Sequence, residues 1–224
     1  MPAELQTSRH SATLVLTFNG TNPTSLLQPD MHAAVIETLS TAESDRSLAA
    51  VVLNGLEGFA IPLDRLSAAA ALPEPLLDHL GDWVDAIQSF PKPVIAAVEG
   101  QINGPALSLM LACDLVVASQ SSAMSAAPVP VGGASWFLAQ GLPRQLAMEM
   151  LTAAAPLPAT RLQAAGLINR LTEHGATFEM ALIWAQHLAS EAGRTEGIKI
   201  LLKEALHASL TQQLAAEAKF RLEI

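Results

Sequence analysis

KPVIAAVEGQINGPALSLMLACDLVVAS, residues 92–119, is the stretch whose reading decides the fold. Val94 to Val98 is a short apolar run closed by Glu99-Gly100, the pattern of a buried strand ending in a tight turn. Pro105 opens a second apolar run. Proline suits the first position of a helix, where its missing N–H would have no partner anyway. Residues 115–118 (LVVA) then read as another short buried strand.

The same alternation extends in both directions. Residues 12–18 (ATLVLTF) are β-rich and bounded by the turn-forming run Asn19-Gly20-Thr21-Asn22-Pro23. Residues 28–43 place Met31, Val35, Ile36 and Leu39 at helical spacing, with Pro29 in the first turn. Residues 48–54 (LAAVVLN) form a continuous apolar run, as in a parallel strand buried on both faces. Residues 76–90 read as an amphipathic helix stopped by Pro91 and Pro93. After Gly132 the pattern is mainly helical, over 143–153, 159–165, 177–192, 195–207 and 211–222. Strands alternating with helices and then helices alone predict an α/β core over 1–142. A helical C-terminal region over 143–224 would pack on that core or on neighbouring subunits.

Composition limits the function classes. Half of the 224 residues are hydrophobic and 15% are charged, so the chain folds rather than staying disordered. A mean hydropathy of +0.34 is high for a soluble monomer and points to an apolar face covered in an oligomer. The net charge is −9 and no basic run exceeds two residues, which argues against nucleic acid as a partner. No membrane is expected either, since the apolar stretch 105–118 is interrupted by Ser108 and Asp114. The single cysteine, Cys113, allows no intramolecular disulfide, and residues 1–14 show no secretory pattern, so a cytoplasmic location is expected.

Four segments resemble the enoyl-CoA hydratase/isomerase (crotonase) family. Residues 53–66 (LNGLEGFAIPLDRL) resemble its F-A-small-G-x-D-L turn through Phe59, Ala60 and Asp64. Residues 92–119 resemble its core signature, 133–150 its G-G-S-W region and 158–171 its S-A-x-x-A-x-x-x-G-L stretch. The resemblance implies a crotonase-like spiral of ββα units with a helical C-terminal region, usually assembled as a trimer or hexamer. It implies a site for an acyl-CoA or acyl-carrier thioester and no other cofactor. In such a site two backbone N–H groups hold the thioester oxygen as it becomes an enolate. Their positions fall on Ile61 and on the Gly104-Pro105-Ala106 turn, with Pro105 at the donor itself. Ala106 is the nearest alternative N–H. Ala60, Pro62, Asp64 and Gly104 fall on substrate-binding positions.

The resemblance also marks what has been replaced. The two carboxylates that move protons in hydration fall on Ser108 and Pro128, which are therefore the candidate catalytic positions. A serine hydroxyl is too weak an acid for that work near neutral pH, and proline does not titrate. Standard hydration is thus not expected. Two readings stay open: a thioester-binding family protein with other chemistry, and a non-catalytic partner of an active homologue.

Other residues invite plainer readings. Asp64, Asp114 and Glu99 suit turns and strand ends. Asn103 either forms the Asn-Gly turn or donates a side-chain hydrogen bond in place of the lost N–H. His79 precedes Trp83 on a helix that lines the acyl pocket in this family. Cys113 and Trp136 are expected in the packed interior. The six histidines show no metal-ligand spacing, so no metal is expected.

Overall fold

The computed structural model describes residues 3–61, 72–126, 130–152 and 155–223. Its centre is a six-stranded sheet in the order β1-β2-β3-β4-β6-β9. β1 (Glu4–His10) and β2 (Thr13–Asn19) form an antiparallel hairpin, and Ser11 at its tip takes φ +56°. β3 (Ala50–Asn54), β4 (Val94–Val98), β6 (Leu115–Ser119) and β9 (Arg170–Thr172) follow in parallel.

Alternate residues of β2, β3, β4 and β6 feed two cores, which is why the inner strands read as unbroken apolar runs. On one face Val15, Val52, Ile95 and Val117 meet Ala181 and Ala185 of helix α8 (Thr177–Ala189). Two alanines one turn apart let that helix lie close to the sheet. On the other face Leu16, Leu53, Val98 and Val116 join the main core. There they meet α2 (Pro29–Ser44), α3 (Glu74–Ser89) and α4 (Pro105–Ala112). The N-terminal residues of the chain were not expected to form a strand. β1 is a polar, largely exposed edge strand and lacks the apolar pattern that marks the interior.

A second sheet is built from very short strands. β5 (Gln101–Asn103) pairs in parallel with β7 (Ala123–Ser125), which pairs antiparallel with β8 (Leu157–Pro158). The Glu99-Gly100 turn, with Gly100 at φ +66°, carries the chain from β4 in the large sheet to β5 in the small one. α4 then returns it to β6. Strand, strand, helix is thus one repeat of the expected ββα spiral, and α4 between the sheets is buried at all eight residues. β8 and β9 add strands to both sheets within the stretch read as helical, because two- and three-residue strands carry no usable periodicity.

The remaining α-helices among the described residues are α1 (Pro23–Leu26), α5 (Ala134–Gly141), α6 (Arg144–Thr152), α7 (Ala159–Ala164), α9 (Ala192–Ala205) and α10 (Leu210–Glu223). α1 replaces the turn expected around Pro23: Asn22 Oδ1 accepts the Thr24 N–H at 3.0 Å and caps it. Lys92 closes the far end of α2. Its buried ammonium donates to the carbonyls of Ala42 (2.7 Å), Glu43 (3.1 Å) and Asp45 (2.7 Å) at the helix end, where the Ala42 and Asp45 oxygens also accept one backbone N–H each.

Candidate active site

The turn between β5 and α4 organises the site. Gly104 adopts φ +52°, ψ −128°, a conformation open to glycine alone at low cost, and Pro105 begins α4. A Cβ at Gly104 would stand 3.0 Å from Ile61 Cδ1, so the Ile61 side chain lies directly on this turn. Pro105 supplies no N–H. Ala106 follows it, fully buried in the first turn of α4.

The Ile61 N–H is already engaged. It donates to Asn103 Oδ1 at 2.7 Å, and Asn103 Nδ2 donates back to the Ile61 carbonyl at 3.0 Å. Both residues are buried. The carboxamide oxygen therefore occupies the direction from which an external carbonyl oxygen would approach. Asn103 does donate a side-chain hydrogen bond, as one sequence reading had it, but to backbone rather than into an open pocket.

Ser108 lies one turn into α4 with no exposed surface. Its hydroxyl donates to the Val131 carbonyl at 2.7 Å and lies 3.3 Å from the Gly104 carbonyl. Gly132, at φ +50°, seals this position. A Cβ there would come within 3.0 Å of Ser108 Cβ and 2.9 Å of Leu80. The chain around Gly132 thus packs straight onto the serine. Ile61, Gly104, Pro105, Ala106 and Ser108 are gathered around a single turn, while Pro62, Asp64 and Pro128 lie outside the described residues.

Outside this turn a cleft of about 480 Å³ opens along Glu57, Ala60, Ile61, Glu99, Gln101 and His174. Glu99 forms its best-defined wall. Oε1 accepts from the Gly175 N–H (3.0 Å) and the Thr177 hydroxyl (2.8 Å), and Oε2 pairs with His174 Nδ1 at 2.8 Å. Burial works against the Glu99 carboxylate. The Thr177 hydroxyl, the Gly175 N–H and His174 outweigh it and hold its pKa below the ordinary value. The strand-end role expected of Glu99 is the one observed, since it ties the start of α8 to the end of β4.

The family model described as enoyl-CoA hydratase/isomerase matches residues 8–224. The chain belongs to the enoyl-CoA hydratase/isomerase family. It is 27% identical to the 2,3-dehydroadipyl-CoA hydratase of Escherichia coli K12 over 96% of this chain and 88% of that protein. It is 32% identical to the methylmalonyl-CoA decarboxylase of the same organism, over 51% of this chain and 46% of that one. The crystal structure of an enoyl-CoA hydratase from Polaromonas sp. JS666 superposes with a TM-score of 0.81 at 32% identity, covering 98% of this chain and 90% of that one. Relatives named for hydration and for decarboxylation both match, so membership of the family does not choose a reaction.

For this hydratase/isomerase-family chain the remaining candidates resolve as follows. Asp114 accepts the Val94 N–H at 2.7 Å and pairs with Lys199 at 2.6 Å. Burial nevertheless pushes its carboxyl up, against the pull of that lysine. Cys113 is buried and donates to the Leu109 carbonyl at 3.3 Å, and burial pushes its thiol far up, as expected of an inert interior residue. His79 Nδ1 donates to the Leu27 carbonyl at 2.8 Å, and its ring stacks on His32 with ring centres 4.2 Å apart. Trp136 is a correction: it is 47% exposed, edge-on to Phe137, because α5 turns this residue away from the core. No group of three or more His, Cys, Asp or Glu side chains suited to a metal occurs among the described residues.

Proposed function

We propose that this family member does not hydrate enoyl thioesters, and that it serves as a non-catalytic binding or assembly partner built on the crotonase frame. The observation that carries this reading is the Asn103 carboxamide on the Ile61 N–H. Removing one oxyanion donor typically costs about 10²- to 10³-fold in rate. Here one donor is a proline and the other is occupied. General acid–base help supplies about 10²- to 10⁴-fold more, and Ser108, hydrogen-bonded to the Val131 carbonyl, has no proton chemistry to offer near neutral pH.

A second reading has support from the cleft beside Ala60 and Ile61, which is large enough to admit part of an acyl-CoA or acyl-carrier thioester. Glu57 and Glu99 on its walls oppose the anionic phosphates of CoA, which favours a carrier that presents a neutral arm. Neither reading calls for a resident cofactor.

An oligomer, a trimer or hexamer as in the family, fits the surface of the 143–224 region. Ile198, Ile200, Leu202, Leu206, Leu210 and Leu214 are all exposed. A buried single thiol fits a cytoplasmic setting. Among the described residues no helix is long and apolar enough to cross a membrane.

The test is hydration of crotonyl-CoA, followed by loss of enoyl absorbance at protein concentrations close to that of the substrate. The expected result is a rate equal to that of buffer. Saturable turnover removed by excess product would overturn the reading.

A further inference from the structure

One strand away from the clasp between Asn103 and Ile61 lies a buried polar atom without a partner. Ser125 is 2% exposed, and its hydroxyl has no hydrogen-bond partner among the described residues. Buried hydroxyls are rarely left this way, and an orphaned one calls for an explanation. Ser125 is the register partner of Asn103 in the parallel β5–β7 pair. Register partners leave the same face of a sheet, so the orphaned hydroxyl stands beside the carboxamide that blocks the Ile61 N–H.

The carboxamide has capacity to spare. It offers two N–H donors and two lone pairs on its oxygen. The clasp uses one N–H and one lone pair. Turned toward β7, the same group would find the Ser125 hydroxyl as a partner. The Ile61 N–H would then be released toward the cleft that Ile61 and Asn103 both line.

We propose that Asn103 is a gate with two seats, Ile61 in the closed state and Ser125 in the open one, and that a thioester carbonyl opens it by replacing the carboxamide oxygen on the Ile61 N–H. This rests on the reading that Asn103 closes the site, and it concerns how the site is regulated rather than whether it turns substrate over. The exchange keeps two hydrogen bonds but leaves the Ile61 carbonyl without the Asn103 N–H it accepted, which is why the closed seat is preferred until a ligand arrives. The ligand oxygen takes the Ile61 N–H, and the carboxamide trades the Ile61 backbone for the serine. The closed state dominates in the free protein, so apparent affinity is reduced by the fraction of molecules that are open. Asn103 is thus a residue that sets ligand access, and Ser125 positions it.

The experiment titrates crotonyl-pantetheine, a thioester without the CoA phosphates, into the wild type, Asn103→Ala and Ser125→Ala. Binding is read by calorimetry and, in the wild type, by the Asn103 side-chain amide resonances. Removing the closed seat raises affinity by about tenfold or more in Asn103→Ala, and removing the open seat lowers it by about threefold or more in Ser125→Ala. The Asn103 amide pair shifts on binding in the wild type. Should Asn103→Ala fold poorly, hydrogen exchange on the wild type decides. The Ile61 amide then exchanges through a local opening, faster than the core amides of Leu53 and Val98, and slows in the presence of ligand.

Equal affinities in all three proteins, absence of binding by Asn103→Ala, or an Ile61 amide that exchanges with the core would each overturn the gate. Turnover of crotonyl-CoA would overturn the proposed function instead, so the two failures are told apart by different readouts.

Discussion

Asn103 and Lys92 are both polar side chains sunk into the interior, and each is held there by backbone partners. Lys92 donates to three carbonyls at the end of α2. Lys92→Met keeps the volume and removes those three hydrogen bonds, and about 2 kcal/mol of stability should be lost, measured by urea denaturation. Ser108 gives a second test. Placing a carboxylate there with Ser108→Glu forces a charge against the Val131 carbonyl and the sealed Gly132 position. Destabilisation of about 3–5 kcal/mol is expected, with no gain of hydration. The sequence singles out Pro105 and Ser108 as positions where the resemblance implies other groups, because the flanking KPVIAAV and ACDL runs fix their place. The clasp was not legible. It joins Asn103 to a backbone 42 residues away, and no local pattern announces such a pair.

At the scale of elements, the start of α8 depends on Glu99. The Gly175 N–H, the Thr177 hydroxyl and His174 all converge on that carboxylate. They hold its pKa below the ordinary glutamate value. The stabilisation is therefore present above the ordinary glutamate range and is lost as the pH falls through the folded value. Glu99→Gln should cost roughly 1 kcal/mol at neutral pH and almost nothing in acid, seen as two denaturation curves that converge as the pH drops. The long elements were readable: β3 and β4 from their unbroken apolar runs, α2 and α3 from helical spacing. The second sheet was not, since its strands are two or three residues long and owe their existence to the neighbours they pair with rather than to any propensity of their own.

At the scale of the whole molecule, the high hydropathy has two destinations. Part of it fills both faces of the large sheet. Part is displayed on α9 and α10, where Leu202 is 67% and Leu210 75% exposed. Light scattering coupled to size exclusion should return a mass that is a multiple of the 23.5 kDa chain. Leu202→Lys with Leu210→Lys should reduce it to one chain, whereas a wild-type monomer would contradict the assembly reading. The spiral fold followed from the four family-like segments. The state of the site did not, because it depends on how Ile61, the end of β5 and the start of α4 meet around Gly104.

The account turns on whether this site can stabilise an enolate at all. The most direct measurement is exchange of the α-protons of butyryl-CoA in deuterium oxide, which asks for a proton acceptor and an oxyanion site without requiring hydration. Deuterium incorporation no faster with the protein than without it is the expected result. Saturable incorporation that depends on protein concentration would contradict it.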